Sequence, residues 1–489
     1  MKSMISYLRQ RLHSMDMLAR SVVWITGSTI LSQSLAMLSV PVLSRLYSPE
    51  DLGTLAIFTA FVTTAAVVVS LRYELAIPLP EDPRHSVHLL NLVFFCSFAG
   101  SIIIALLVLF FPKLFSFYLG PQINVWILWL LPISVFVTAL NQGLYFYALK
   151  HQLLKGIAIS KLVQSVVLIV TQIGGFFLIE NALIVGYIIS QIAQVTLISY
   201  WTRMPSLIRL PCADTRAVAM RYRQFPQFYL WSGLISGINL QIPLLLITHY
   251  FGVKIAGYYA VAYRILNALP SLVGQSIGHA YLSTAIRERD HLPEITQRLY
   301  TRQVEMIMPF VLFCGILGPE ISLILLGSGW QETGIMIQWL IPLVFLSFVV
   351  NPFTEIFTLY EKQCFSTLFQ SLLFIQRFAS IALVAALGGD EYSAVGCFSI
   401  SGTLLWLGLL LLLLHVCGLP VRTVFLPGKR MGWWISMTVV MVFFKYSGSK
   451  ISSLMFLILM TLITILYLYN TVWSALYTSL QTNGGRRYN

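Results

Sequence analysis

The chain has 489 residues, of which 57% are hydrophobic and only 10% are charged, and its net charge is +13. Soluble proteins carry about 25% charged residues, so this composition excludes a soluble globular fold and predicts an integral membrane protein. In a membrane protein, an excess of Lys and Arg is explained by the orientation of the chain, so we expect no nucleic-acid partner. The six cysteines are scattered without a CxxC pair, which predicts neither a disulfide framework nor a metal site.

The chain begins with a basic segment, residues 1–18, whose apolar residues recur at helical spacing, and we expect this segment to lie along the membrane interface. Fourteen apolar runs follow, each long enough at about 20 residues to cross a bilayer. They lie at roughly 19–45, 52–71, 88–111, 124–149, 153–179, 183–202, 225–250, 255–283, 306–327, 334–359, 363–388, 392–418, 431–447 and 451–477. Lipid cannot satisfy the open edges of a sheet, so the predicted fold class is all-α, a polytopic membrane protein with about 14 transmembrane helices.

The distribution of positive charge predicts which side each loop faces. With the N-terminus inside, 23 of the 31 Lys and Arg residues fall in inner segments, five fall in outer segments and three lie within spans. This asymmetry predicts that both termini are cytoplasmic. The loops are too short to be domains. The chain also has no GxxxxGK[ST] or HExxH motif, so we expect no enzyme and no bound cofactor.

Helices 1 and 2 resemble helices 7 and 8, which suggests an internal repeat. The matching pairs, with two one-residue gaps, are Pro41 with Pro243, Tyr47 with Tyr250, and Gly53 with Gly257. The alternative is a chance similarity between two apolar sequences. Six spans separate the copies, so a true repeat predicts two pseudo-symmetric six-helix lobes around a central cavity. The predicted divisions are an N-terminal lobe (19–203, helices 1–6), a basic linker (204–224), a C-terminal lobe (225–420, helices 7–12), and helices 13 and 14 with a cytoplasmic tail (421–489).

The sequence resembles a known family in two stretches, SVVWITGSTILSQSLAMLSVPVLSRLYSPEDLGTLAIF and LRYELAIPLPED. That family is the oligosaccharide repeat-unit flippases of bacterial O-antigen and capsule synthesis, within the superfamily of multidrug and toxin extrusion exporters and the lipid II flippase. The resemblance is strongest over residues 19–90. It implies an alternately opening cavity, a place in the bacterial cytoplasmic (inner) membrane, and undecaprenyl diphosphate carrying a short glycan as substrate. It further implies a monomer among membrane lipids, which could work beside a polysaccharide polymerase and a chain-length regulator.

Helix 8 carries a cation in the middle of an apolar run. Its polar residues, spaced 3, 4, 4 and 4, are Arg264, Asn267, Ser271, Gln275 and His279. This spacing puts them on one face, and shorter polar stripes occur on helix 7 at Ser232, Ser236 and Asn239 and on helix 1 at Thr26, Thr29 and Gln33.

The polar stripe supports two interpretations of Arg264. In the first, its guanidinium faces a wet cavity and binds the diphosphate through bidentate hydrogen bonds, with Asn267, Gln275, Asn239 and Gln33 as further polar contacts. In the second, Arg264 forms a structural pair with a buried carboxylate or with helix carbonyls. The first interpretation is favoured because no carboxylate is evident within the neighbouring spans.

Two more cations lie inside predicted spans. Arg377 on helix 11 lies about 14 residues, or roughly 21 Å, from the inner end, so its side chain is too deep to reach the interface. It is a second candidate for binding the substrate. Lys161 on helix 5 is only about 8 residues, or roughly 12 Å, from the inner end. Extension of its side chain to the interface therefore competes with a substrate role.

Four residues are candidates for gating or ion coupling. Arg72 and Glu74 in the LRYE stretch could pair at an inner gate, or Arg72 could simply add to the inner positive charge. Glu355 near the inner end of helix 10 could bind a proton or Na⁺, although such residues more often pair locally. His279 could titrate near neutral pH, with a packing role as the alternative.

Three functions compete at this point. The first is a flippase for a lipid-linked oligosaccharide, with H⁺ or Na⁺ coupling left open. The second is an ion-coupled multidrug exporter, whose cavity should be anionic, whereas the deep charges here are Arg and Lys. The third is a polysaccharide polymerase or ligase, which would need a sizeable outer loop to hold its sugars.

Overall fold

The computed structural model describes residues 17–119, 125–204, 213–360 and 363–425. These residues form helices and short helical turns, and no strand occurs among them. The predicted helices 13 and 14 and nearly all of the predicted interfacial segment lie outside the described residues.

Twelve long helices correspond in order to predicted helices 1 to 12. They are α1 (Met17–Leu46), α2 (Pro49–Val69), α3 (Pro83–Phe110), α4 (Leu130–Lys150), α5 (Leu154–Gly174), α6 (Ala182–Thr202), α7 (Leu230–Phe251), α8 (Val253–Arg287), α9 (Leu292–Leu326), α10 (Gln331–Val350), α11 (Gln363–Ala386) and α12 (Glu391–Val416). Shorter helices include Pro112–Leu119 and Ala213–Arg221.

Eleven helices of the described chain are long and apolar enough to cross a membrane. They correspond to every predicted span from 1 to 12 except the eighth. α8 is a continuous helix of 35 residues, but its polar residues leave it less apolar than the others. α9 begins at Leu292, well before the predicted start at 306, because residues 292–305 are helical but too charged to belong to the apolar run.

The starts of α2 and α3 are fixed by capping residues. The Ser48 side chain accepts a hydrogen bond from the backbone N–H of Asp51, whose own side chain accepts one from the backbone of Ser48, and Pro49 occupies the first turn of α2. Asp82 accepts in the same way from the backbone of Arg84 at the start of α3. Because of the Ser48 cap, α2 starts three residues before the predicted position.

The described chain packs into two compact units. Unit 1 holds the residues up to Ala268 together with Leu325–Trp330 and Arg377–Glu391. Unit 2 holds Leu269–Ile324, Gln331–Gln376 and the described residues from Tyr392 onward. The lobe boundaries suggested by the sequence repeat stay a prediction.

Unit 1 contains two clusters of buried apolar side chains. One is built mainly on α2, α4 and α6 and includes the fully buried Phe58, Ile127 and Leu131. The other surrounds the turn after α2, where Ile77 packs with Leu144 among residues of α3 and α4. These clusters hold the ends of α2 in place, and α2 positions much of the candidate site.

Unit 2 shows how a proline inside a helix is accommodated. Pro319 in α9 has no N–H to donate to the carbonyl of Gly315 four residues earlier. The Gln338 side chain of α10 donates to that carbonyl instead, at 2.9 Å. Close packing allows this, because a Cβ added to Gly334 would collide with Pro319.

Candidate functional site

Arg264 lies eleven residues after the start of α8, about 16 Å along the helix axis, yet its side chain is exposed. Arg264 also lines a cavity of about 230 Å³ within unit 1. Its Nη2 donates to the backbone carbonyl of Ala36 on α1 at 3.1 Å. One carbonyl uses only part of the donor capacity of a guanidinium, which has five N–H groups.

The wall of this cavity, which we call the Arg264 cavity, is contributed by α1, α2, α5, α6 and α8. It consists of Val40, Leu43, Leu52, Leu55, Ala56, Thr59, Leu168, Gln172, Tyr187, Ala260, Val261 and Arg264. The charge of the described lining is therefore positive, and none of these residues is a carboxylate. A mostly apolar wall with a few polar groups is typical of a small-molecule site.

α2 and α8 meet backbone to backbone next to the Arg264 cavity. A Cβ added to Gly53 would collide with the carbonyl oxygen of Val253, and a Cβ added to Gly257 would collide with that of Pro49. Glycine is required at both positions because only a residue without a side chain allows this approach. We call this contact the glycine crossing, and it joins two residues that the sequence repeat pairs as equivalents.

A second cavity, of about 630 Å³, is lined by earlier residues of α8 than the Arg264 cavity. This second cavity lies at the ends of the helices that were predicted to face outside, and Glu50, Asp51 and Lys254 belong to its lining. The Arg264 cavity is lined by later turns of α2 and α8.

The C-terminal end of α1 is hydrogen-bonded to the segment after α9. The indole Nε1 of Trp330 donates to the carbonyl of Ser44 at 2.6 Å, and the Ser44 hydroxyl donates to the carbonyl of Leu326 at 3.1 Å. The Trp330 ring also packs edge-on against Tyr258 of α8, with 5.9 Å between centroids. These contacts join α1, α8 and the segment after α9 next to the glycine crossing.

Arg377 makes a different kind of contact from Arg264. Its Nη1 donates at 2.5 Å to the backbone carbonyl of Asn239 on α7. That carbonyl would ordinarily accept from the N–H four residues later, but Pro243 occupies that position and has no N–H. Arg377 therefore satisfies a carbonyl that a proline has left without its helical partner.

Lys161 lies on α5 and contacts a neighbouring helix. Its Nζ donates to the hydroxyl of Thr29 on α1 at 3.0 Å. The contact uses a member of the predicted polar stripe of helix 1. Asn267 donates back to the carbonyl of Tyr263 in its own helix at 2.9 Å.

Arg72 and Glu74 lie in the turn after α2 and form the predicted pair. Arg72 Nη1 lies 3.4 Å from Glu74 Oε1, and the Glu74 side chain is fully buried. Burial raises the pKa of the Glu74 carboxyl, and Arg72 acts in the opposite direction. Leu71 and Arg72 both adopt left-handed backbone conformations, with φ of 51° and 60°, which costs free energy in residues other than glycine.

The guanidinium of Arg72 packs against the backbone of α7. A Cβ added to Gly233 would lie 2.7 Å from Arg72 Cζ and closer still to Nε. Since Gly233 leaves the space that Arg72 fills, the position of this end of α7 is coupled to the Arg72–Glu74 pair.

The other predicted site residues are placed as follows. The side chains of Gln275 and His279 lie outside the described set. Asn239 is buried, and Gln33 is half-buried on α1. Glu355 is half-buried in unit 2, and a Cβ added to Gly278 of α8 would lie 3.8 Å from its Cγ. In the described part of the chain, no group of three or more His, Cys, Asp or Glu could hold a metal ion.

Sequence reasoning missed the glycine crossing and the repair of the Asn239 carbonyl. Signals for both existed. The repeat had matched Gly53 with Gly257, and Pro243 within an apolar run marks a carbonyl that needs a donor. The sequence could not show that the two glycines touch, nor which helix supplies the donor.

Solved structures of the same fold are known. The lipid II flippase MurJ in an inward closed conformation aligns with a TM-score of 0.72 at 13% identity, covering 94% of this chain and 99% of that one. An inward-facing multidrug resistance MATE family transporter of the MOP superfamily aligns with a TM-score of 0.59 at 12% identity, covering 81% of this chain and 98% of that one. The chain thus has the fold of a class of multi-span flippases and transporters, which confirms the predicted all-α fold class.

The family follows from the sequence itself. A family profile described as "polysaccharide biosynthesis protein" matches residues 42–334, which is more than half of the chain. The chain belongs to this family, and the resemblance noted from its opening residues is confirmed. A search of curated protein sequences gives no match.

Proposed function

We propose that this protein is a flippase for undecaprenyl-diphosphate-linked oligosaccharide repeat units. It moves them from the cytoplasmic to the outer leaflet of the bacterial inner membrane, for O-antigen or capsular polysaccharide synthesis. The observation that carries the proposal is Arg264, a permanent cation that borders a cavity of about 230 Å³ and whose only described partner is one carbonyl.

The charge of the cavity supports an anionic cargo. A diphosphate offers several oxygens to a guanidinium, and such charge-assisted bonds are about twice as strong as neutral ones. An ion-coupled exporter of cationic drugs would need carboxylates in the same wall, and the described lining has none. We therefore prefer the flippase to the multidrug exporter.

The glycine crossing supplies the barrier that such a transporter needs. In the proposed cycle, the diphosphate enters the Arg264 cavity while Gly53 and Gly257 are in contact. The two glycines then separate and the head group reaches the outer cavity. No covalent bond changes, so we propose neither a catalytic residue nor a cofactor, and a polymerase or ligase activity is not part of the proposal.

Coupling and assembly belong to the same proposal. Glu74 is the favoured site for a coupling proton, because it is a buried carboxylate whose partner Arg72 packs on α7. Na⁺ is the alternative ion. The protein works as a monomer in the membrane, with a polysaccharide polymerase and a chain-length regulator acting on its product.

The test is a complementation assay in a strain that lacks the protein. Wild type is compared with Arg264→Ala and Arg264→Lys at matched membrane abundance. Arg289→Ala serves as control because it removes one cation from an exposed turn. Loss of surface polymer with Ala, partial recovery with Lys and normal polymer in the control support the proposal. Normal polymer with Arg264→Ala contradicts it.

A further inference from the structure

A short helix, Ala213–Arg221, lies in the segment that joins α6 to α7. We call it the linker helix. Thr215 and Val218 share one of its faces at helical spacing, and both are buried. The Thr215 hydroxyl lies within hydrogen-bond distance, 3.0 Å, of Nδ1 of His88 on α3. One face of the linker helix is therefore packed against the rest of unit 1.

The opposite face of the linker helix is cationic and exposed. The chain continues to turn beyond the last helical residue, so Arg223 lies two turns after Arg216, with the exposed Met220 between them. Arg221 is exposed beside them, and its guanidinium lies 5.8 Å from the centre of the Tyr222 ring. None of the three arginines forms an ion pair with another residue that the structure describes. This face therefore presents three cations that no carboxylate neutralises.

The level of the linker helix in the membrane follows from its contacts with other helices. α3 has 28 residues and is about 42 Å long, which matches the thickness of about 40–45 Å of a bilayer with its head groups. His88 is the sixth residue of α3, about 8 Å from its start, and the head-group layer on each side is about 5–8 Å thick. The Tyr73 hydroxyl, in the turn after α2, donates to the Ala219 carbonyl of the linker helix at 3.4 Å. The linker helix therefore lies at the height of the head groups.

Exposed aromatic side chains mark the same level on both sides of the linker in the sequence. Tyr200 and Trp201 lie in the last turn of α6, and Phe228, Tyr229 and Trp231 lie around the start of α7. Tyr and Trp are enriched where a protein crosses the boundary between membrane and water. The surroundings of the cationic face are therefore those of a lipid surface and not of the open cytoplasm.

We propose that the face formed by Arg216, Met220, Arg221 and Arg223 binds the head groups of anionic phospholipids, in the leaflet that was predicted to face the cytoplasm. A guanidinium forms bidentate hydrogen bonds with phosphate oxygens, and Met220 offers apolar surface to the acyl chains beneath them. Each arginine near an anionic lipid surface raises the affinity about fivefold. Bound lipid holds the linker helix against α3 and the turn after α2. The inference goes beyond the proposed function, since it holds for any cargo.

The experiment measures hydrogen–deuterium exchange of the purified full-length protein in two kinds of nanodisc. One contains phosphatidylcholine alone, and the other contains an equal mixture of phosphatidylcholine and phosphatidylglycerol with the same acyl chains. In wild type, the amides of residues 213–224 should exchange at least about fivefold more slowly in the anionic bilayer, the contribution of a single arginine. The triple variant Arg216→Gln, Arg221→Gln and Arg223→Gln should lose this difference. The triple variant Arg216→Lys, Arg221→Lys and Arg223→Lys keeps the charge and should retain most of it.

A matched control tests whether the loss of any three cations has the same effect. It removes three exposed arginines from the end of α8 and the start of α9, where three acidic residues balance the charge. The control combines Arg287→Gln, Arg289→Gln and Arg298→Gln. This variant should respond to phosphatidylglycerol as wild type does.

The comparison of wild type in the two bilayers decides the question even if the Gln variant does not fold. Equal exchange of residues 213–224 in both bilayers overturns the inference and leaves a cytoplasmic protein as the partner of this face. A slowing that is uniform over the whole chain overturns it as well, and so does loss of the response in the control variant.

Discussion

Arg264 and Arg377 are the same side chain at membrane depth in unit 1, but the backbone around them differs. Arg377 donates to the Asn239 carbonyl, which Pro243 has left without its helical partner. Arg264 donates to the Ala36 carbonyl, and no proline lies four residues after Ala36. It also lines a cavity, and its side chain is exposed.

The comparison teaches that a deep cation is not functional merely because it is deep. A charge in the membrane is costly, and a chain keeps it where it satisfies either the fold or a ligand. The described contacts of Arg377 repair the fold, while those of Arg264 leave most of its donors available to a ligand. The two arginines should therefore fail in different ways when they are removed.

The largest effect is expected for Arg264→Ala. Loss of one or more charge-assisted hydrogen bonds of about 1.5–3 kcal/mol each should reduce transport at least tenfold, while thermal unfolding of the purified protein changes little. The measurement is the initial rate of lipid-linked oligosaccharide transfer in proteoliposomes. If Arg264→Ala also lowers the unfolding temperature markedly, the loss of transport reflects loss of stability, and Arg264 has a structural role like that of Arg377.

A comparably strong effect, on the distance between α2 and α8, is expected for Gly257→Ala, because the added Cβ collides with the carbonyl of Pro49. The glycine crossing should open, and spin labels at Glu50 and Lys254 should report a longer distance between the ends of α2 and α8. Gly237→Ala is the control, since its Cβ would meet nothing within 4 Å. An unchanged distance in Gly257→Ala would show that the crossing is not the barrier.

Arg377→Ala should lower the free energy of unfolding by about 1–3 kcal/mol, the usual cost of a buried group left without its hydrogen bond. Transport per folded molecule should be nearly normal. Adding Pro243→Ala restores an N–H four residues after Asn239 and should recover part of the lost stability. The double-mutant cycle measures this coupling, and simple additivity of the two changes would contradict the assigned role.

Glu74→Gln should change the pH dependence of stability. Burial raises the pKa of this carboxyl above its ordinary value of 4.5, so the folded protein binds the proton more tightly than the unfolded chain. The stability that Glu74 contributes is therefore full below the ordinary value and declines as the pH rises through the raised pKa. Thermal unfolding of wild type and Glu74→Gln between pH 4.5 and 8 should give curves that diverge, and parallel curves would refute the assignment.

The smallest effect is expected for Gln338→Ala in unit 2, which should lower the free energy of unfolding by about 1 kcal/mol. The loss is smaller than for Arg377→Ala because the donor at this site is a neutral amide and not a charged guanidinium. Pro319→Ala in the same chain should recover part of this loss, as in the Arg377 cycle. Thermal unfolding of the four proteins tests whether side-chain repair of a proline-freed carbonyl operates in both units. No recovery would confine the mechanism to unit 1.

The spans could be predicted because apolar runs of bilayer length are a strong signal. Helix 6 was expected at 183–202 and α6 is Ala182–Thr202. The signal marks what lies in lipid and not where a helix ends, so α9 starts at Leu292 among charged residues that no apolar run includes. Helix 8 was expected at 255–283 as an apolar run in spite of Arg264, and α8 is Val253–Arg287.

The site was predictable only in part. The stripe on helix 8 placed Arg264 on a polar face, and LRYE suggested the Arg72–Glu74 pair, since both signals are local in sequence. The contacts of Lys161 with Thr29 and of Arg377 with Asn239 join helices more than 130 residues apart. Periodicity within one helix carries no information about such partners.

The bond between Arg377 and Asn239 has a consequence for biosynthesis. α7 enters the membrane long before residue 377 has been translated, and until then the Asn239 carbonyl has neither its helical donor nor the guanidinium. Unit 1 also takes in Leu325–Trp330 and Arg377–Glu391, so the first 268 residues are an unfinished body. Ribosome-bound chains that stop before α11 should therefore be recognised by membrane proteases, and the order of translation sets when this half of the protein matures.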